Sequence, residues 1–180
     1  MSDLKAVDAD NYNGSPIIPT GDPMIDGIGP AAWANRSDTP DMTFHGTAKI
    51  VPMRLDPTFS IAKGDPDPRG MPVIALDKVE AGIVIECWVN RAEPYITYYE
   101  VQLHGSEKRV MLPSAYVQWP NFGLWGNDRL LVKAITAAQF ANVPTTKRDD
   151  QITLLEEDKI CAYYAGGHLY ALAERAEPII

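Results

Sequence analysis

The sequence predicts a mainly β fold, a small barrel or sandwich preceded by an extended irregular segment and followed by one helix. Three observations carry this reading. Strand-like runs recur at short intervals from Lys49 onward, the spacing of small closed or two-layered β folds. Before them, residues 1–47 are rich in Pro, Gly, Asp and Asn and hold no sustained period of two or 3.6. After them, Thr153 and Glu156 stand in the spacing of a capping box, in which the hydroxyl accepts a free N–H of the first turn and the carboxylate reaches back. The chain therefore divides into an extended segment over 1–47, a barrel over 48–147 and a helix with its tail over 148–180.

Taken in order, the N-terminal segment carries Ile17, Ile18, Met24, Ile25, Ile28 and Trp33, too apolar for a solvated tail, so parts of it must lie against its own domain or a partner. Strands are expected over 49–53, 73–76, 82–89, 96–103, 109–117 and 130–135. ITYYEVQL (96–103) has high strand propensity, and His104-Gly105-Ser106 makes a hairpin loop into the strand that follows. The helix is expected over about 154–164. Glu156, Glu157 and Asp158 fall in its first turn, where the dipole favours negative charge, and Gly166-Gly167 supplies a left-handed stop. On that reading the acidic triplet is a solvated helix start.

The 180 residues suit one domain with a real core plus an extended segment. Sixteen basic against twenty-four acidic residues leave a net charge of −8, which argues against a nucleic-acid partner because no basic stripe is present to neutralise phosphates. Cys87 and Cys161 stand far apart without partnering histidines, so they indicate neither a disulfide framework nor a zinc site and are expected to be reduced core residues. No apolar run approaches the ~20 residues that span a bilayer, and no signal-peptide pattern opens the chain. Nor is there a nucleophile with a recognisable base, a glycine-rich phosphate loop or an HExxH-like spacing, so catalysis by this chain alone is not expected.

The block ITLLEEDKICAYYAGG (152–167) resembles the C-terminal signature of the H subunit of the purple-bacterial photosynthetic reaction centre, and PTGDPMIDGIGPAAW (19–33) resembles the same family. DPRGMPV (67–73), AGIVIECWV (81–89) and QFANVPT (139–145) follow in the family's order. The resemblance implies a PRC-type β-barrel in a non-catalytic cap subunit on the cytoplasmic face of the photosynthetic inner membrane. That cap would stabilise the core L and M subunits and assist proton delivery to the secondary quinone. It would bind no cofactor itself, since bacteriochlorophyll, bacteriopheophytin and quinone would belong to the partner subunits. The N-terminal segment would run along the cytoplasmic surface of L and M. Members of the family usually begin with a transmembrane helix, which is not legible here, so a separate cytoplasmic subunit is expected. A separate polypeptide carrying the membrane helix, and light-harvesting or extra subunits, are further candidate partners. The alternative is a free-standing PRC-barrel adaptor of the ribosome-maturation kind, against which the acidic balance counts.

Proton relays need carboxylates, histidines and water in hydrogen-bond reach, with pKa values moved toward the working pH by desolvation or like charges. By the resemblance, Glu93 in NRAEPY matches the family glutamate near the quinone site and is the first relay candidate; by itself it reads as a plain loop carboxylate. Asn90 stands where an aspartate is common and Thr97 where an arginine is common. At the implied proton entry His45 matches the first of two histidines, while Thr47 replaces the second and Thr43 an aspartate; Asp38 and Asp41 could supply the acidity. Glu157 joins the relay candidates, and Glu156 and Asp158 the expected partner interface, alongside their capping role. Trp33 and the aromatic loop WPNFGLWGN (119–127), with Trp119, Phe122 and Trp125, are read as partner-interface residues, or as a lid over one barrel end. His104 and His168 read as an ordinary hairpin tip and a residue beyond the helix.

Overall fold

The computed structural model describes residues 4–120 and 128–176. The segment expected to be irregular is partly regular. β1 (Ala6–Asp8) and β2 (Ile17–Pro19) pair antiparallel, and a single turn of helix, α1 (Pro23–Asp26), follows. Asp22 caps α1 by accepting from the Met24 amide at 2.9 Å, with Pro23 in the first turn, where its missing N–H costs nothing. A 3₁₀ turn over Gly29–Ala31 completes this strap. Met24, Ile28 and Ala31 are buried, so the strap lies against its own domain, the first of the two possibilities its apolar residues allow.

The main sheet is built around one long strand. β3 (Ile50–Pro52) and β4 (Pro72–Ile74) are short, whereas β5 (Glu80–Asn90) runs for eleven residues. That length lets both short strands pair antiparallel with β5, β4 near its start (Val73 opposite Gly82) and β3 at its end (Ile50 opposite Asn90). β6 (Ile96–Leu103) and β7 (Arg109–Pro113) continue the sheet as an antiparallel meander. The strand expected over 109–117 stops at Pro113, followed by a 3₁₀ turn over Ser114–Tyr116 and two-residue β8 (Val117–Gln118). The proline cannot donate to the ladder, so the chain turns a corner there. β9 (Leu130–Val132) pairs antiparallel with β8 and parallel with β4. The resulting order β7-β6-β5-β4-β9-β8, with β3 paired to β5, is a curled sheet whose end strands are not paired to each other among the described residues. The mainly β expectation holds, but the ladder does not close.

The core packs within this curl. Trp88, Val73, Val101, Leu112, Leu130 and Phe140 are among its fully buried side chains. Glu86 and Glu100, directly opposite on β5 and β6, are buried too. Their carboxylates accept from the Cys87 amide (2.9 Å) and the Trp88 indole (3.2 Å), with Arg54 and Arg109 nearby. Buried acids persist where such donors compensate them.

α2 (Leu154–Tyr170) is where sequence and structure differ most. Its start is as expected: the Thr153 hydroxyl accepts from the Glu156 amide at 3.2 Å and Glu156 accepts from the Thr153 amide at 2.9 Å. Its end is not. The helix runs straight through Gly166 and Gly167, and His168 lies in its last turn. The two glycines are there for contact: a Cβ on Gly166 would sit 2.6 Å from the Cβ of Ala31, and one on Gly167 would strike the Ala134 carbonyl and, at 2.5 Å, the Ile135 side chain. Arg175 then takes over the capping, donating to the carbonyl oxygens of Gly167 (2.8 Å) and Ala134 (3.3 Å). Alanine is the better helix former by about 1 kcal/mol. Even so, Gly167→Ala is expected to lower stability, because overpacking against a backbone carbonyl costs roughly 1–3 kcal/mol. A thermal melt followed by circular dichroism checks this, and an unchanged midpoint would mean that the helix can slide off Ala134. Thr153→Ala should cost about 1 kcal/mol in the same assay.

Candidate functional site

Residues 41–49 form a small hairpin. The Thr43 amide donates to the Thr47 carbonyl at 2.8 Å, their hydroxyls pair at 2.9 Å, and Met42 bridges Ala48. Gly46 turns the tip at φ 74°, in the left-handed region that glycine tolerates. His45 stands exposed at that tip with its ring edge-on to the fully exposed Phe44, 5.6 Å between centroids. Thr43 and Thr47 thus tie the hairpin together. At its base the Lys49 amide donates to the Asp41 carbonyl at 2.8 Å and the Lys49 ammonium meets the Asp41 carboxylate at 3.2 Å.

The loop between β5 and β6 is clamped onto the same base. The Arg91 amide donates to the Lys49 carbonyl at 2.8 Å, and its guanidinium reaches the Ala48 carbonyl (3.2 Å) and the Asp56 carboxylate (2.7 Å). Within the loop, the buried Asn90 accepts through its side-chain oxygen from the amides of Ala92 (2.9 Å) and Glu93 (3.2 Å). An Asx turn of this kind holds Glu93, itself exposed, in a defined place. Thr97 has a buried hydroxyl without a hydrogen-bond partner among the described residues, at the irregular step of the β5–β6 ladder.

The third element is α2. Glu157 is half-buried one turn into the helix, and the Tyr98 hydroxyl on β6 donates to it at 2.9 Å. The same hydroxyl lies 3.8 Å from the Cys161 sulfur, which is half-buried and not the full core residue expected. A cleft of about 190 Å³ opens over this pair, lined by Arg36 and Leu154 as well. Burial pushes the Glu157 carboxyl up from the usual range, and the Asp41 charge adds to it; the Tyr98 hydrogen bond, Lys49 and Arg36 oppose the rise. Burial pushes the Tyr98 phenol far up, so it stays a proton donor across the neutral range. Lys49 is held charged first by its hydrogen bond to Asp41, and further by the Glu93 and Glu157 carboxylates. Asp41 is thus the carboxylate that meets the Lys49 ammonium, while Glu93 and Glu157 act on it only through longer-range charge.

The remaining picks go elsewhere. Asp38 binds Lys147 and accepts from the Thr153 hydroxyl at 3.0 Å, contacts that draw its carboxyl below the usual range and leave it anchoring the start of α2. Glu156 is buried, with its oxygens committed to the amides of Thr153 and Lys147 (2.8 Å), so it acts within the chain. Asp158 likewise faces inward to the strap, accepting from the Ala34 amide at 2.6 Å and pairing with Arg36 at 3.5 Å. Trp33 is 40 % exposed, carries the Lys159 ammonium 5.5 Å above its ring, and lines a cleft of about 160 Å³ with Met24 and Tyr163. Trp119 packs partly on the core, while Phe122 and Trp125 lie outside the described residues. Sequence reasoning missed Lys49 and Tyr98. Each sits in a plain strand pattern, and only the pairing of Lys49 O with Arg91 and of β6 with α2 brings them to the site.

Among the described residues, no helix is long and apolar enough to cross a membrane and no group of three or more His, Cys, Asp or Glu could hold a metal. Residues 1–55 match the family model of the photosynthetic reaction centre H-chain N-terminal region, and residues 62–139 match that of the PRC-barrel domain. The first match contains Asp41, His45 and Lys49, the second contains Glu93 and Tyr98, and Glu157 lies beyond both. These two regions in this order, on a mostly β chain with its one long helix near the C-terminus, make the chain an H-subunit-like protein of the photosynthetic reaction centre, a membrane-associated family whose members assemble with the other subunits of that complex.

Proposed function

We propose that this chain is a non-catalytic cap on the cytoplasmic face of the reaction centre, stabilising the L and M subunits and carrying protons toward the secondary quinone. The observation that carries this reading is a group of carboxylates from a hairpin, a loop and a helix within electrostatic reach of one another: Asp41, paired with Lys49, Glu93, and Glu157, which meets the Tyr98 hydroxyl. Such a group can accept a proton at the exposed side, near His45 and Glu93, and hold it at the half-buried side, where Glu157 meets Tyr98. Proton-coupled reduction of a quinone needs carboxyl groups whose proton affinity lies nearer neutrality than that of a free acid, and burial supplies this at Glu157. In this reading the bacteriochlorophyll, bacteriopheophytin and quinone reside in the partner subunits. The exposed Leu4, Val7, Tyr12, Ile17 and Ile25 of the strap face them, as apolar residues left outside a core commonly do at an interface.

Flash kinetics on the assembled pigmented complex test the relay. Glu93→Gln and Glu157→Gln should each slow the second proton-coupled electron transfer, on the order of 10²-fold where general acid chemistry is removed. Primary charge separation should be untouched. Wild-type rates in both variants would remove the relay from the mechanism. For the cap, stripping this chain from the complex should lower the temperature at which the pigment absorbance bands collapse. An equal temperature with and without it would leave no stabilising role.

A further inference from the structure

Resting on the reading of this chain as a cap, we infer that the outer edge of β1 is a docking edge, to which an extended segment of a neighbouring subunit, carrying a basic residue, adds as a third strand. β1 and β2 form a two-stranded sheet of their own, apart from the main one. No residue from Leu4 to Thr20 is buried, and Leu4, Val7, Tyr12 and Ile17 are left exposed. One ion pair, Lys5 with Asp26 at 2.7 Å, ties this arm to α1. A two-stranded ribbon lying off a core is marginal by itself, and a third strand is one of the additions that complete it.

The two edges of the arm are not alike. The Thr20 amide donates to the Lys5 carbonyl at 2.9 Å and the Ala9 amide to the Pro16 carbonyl at 2.7 Å. Bonded pairs alternate along an antiparallel ladder, so Val7 and Ile18 form the bonded pair between these two. The amides and carbonyls of Ala6 and Asp8 therefore point away from β2, and among the described residues no backbone bond reaches them. On β2 the outward positions are Ile17 and Pro19. Pro19 has no N–H to offer there, and its ring blocks an added strand, which is how natural sheets blunt an edge. β1 has no such guard.

Charge points to the kind of strand that fits. Asp8 and Asp10 are exposed at one end of β1, and among the described residues no cation pairs with either. Lys5, the cation at the other end, is already matched by Asp26. A strand laid along β1 is thus favoured when it brings a lysine or arginine to Asp8 and apolar side chains beside Leu4 and Val7. The arm lies within residues 1–55, the region that matches the H-chain N-terminal family, whose members assemble with other subunits.

Amide hydrogen exchange, compared between the isolated chain and the assembled pigmented complex, tests the edge directly. The Ala6 and Asp8 amides should exchange at least about tenfold more slowly in the complex, and the Ile17 amide at an unchanged rate. In rebinding to a complex stripped of this chain, Ala6→Pro and Asp8→Pro each remove an outward donor without touching a bond of the arm. Each should raise the half-saturating concentration about tenfold. Ile17→Pro, the matched change on the blunted edge, should leave it in place. Unprotected Ala6 and Asp8 amides in the complex would overturn the inference. So would equal weakening by all three proline variants, which assigns the effect to the fold of the arm and not to its edge. Protection of the same two amides in an isolated chain that runs as a dimer would also overturn it, making the occupant a second copy of this chain. Failure of the unaltered chain to rebind at all would instead sink the cap reading.

Discussion

The close seat of α2 on its neighbours is the constraint on which the rest depends. Gly166 and Gly167 remove the side chains that would hold the helix away, so Ala31 of the strap and Ala134, just after β9, come into direct contact with its backbone. Ile160, Tyr163 and Tyr164 are buried around the same turns, and a helix covered on several sides draws its stability from packing more than from propensity. This one contact fixes two things. It clasps the N-terminal strap to the domain, with Asp158 and Lys159 adding polar contacts to Ala34, Arg36 and Trp33. It also sets the rotation of the helix about its axis, and hence aims Glu157 at Tyr98.

The site is equally a product of the long strand β5. Because β3 and β4 share one edge of it, the chain entering β3 from the hairpin is brought beside the loop that leaves β5. The backbone bonds from Lys49 to Asp41 and Arg91 lock that juxtaposition. Glu93 is left exposed and Glu157 half-buried, so the two carboxylates differ in solvation. Desolvation and like-charge repulsion act in the same direction on Glu157, and hydrogen bonding and Lys49 act against them. In the proposed relay the chemistry is proton holding and release.

Several carboxylates near this group do structural work instead. Asp38, Glu156 and Asp158 lie close in sequence to relay candidates yet are consumed by the start of α2 and by the strap. Their negative charge complements the helix dipole, and their oxygens satisfy amides that would otherwise be left unpaired. What separates Glu157 from its neighbours Glu156 and Asp158 is its angular position on the helix, about 100° from each. Glu156 meets the cap, Asp158 the strap, and Glu157 the sheet.

The sequence by itself determined the elements whose causes are local. The capping box at Thr153 and Glu156 and the strand propensity of 96–103 depend on residues a few positions apart, and both are present as read. Asp41, Glu93 and Glu157 were legible as candidates because ionisable side chains in matching motifs are visible one at a time. Only the tertiary structure decided that the helix continues through Gly166-Gly167, since a glycine's role as a stop or as a contact point depends on what lies opposite it. Likewise it decided that Tyr98 meets Glu157 and that Asp38 is bound into the start of α2. Those assignments rest on hydrogen bonds and charges between residues 59 to 115 positions apart, Tyr98 with Glu157 and Asp38 with Thr153, and no local pattern encodes them.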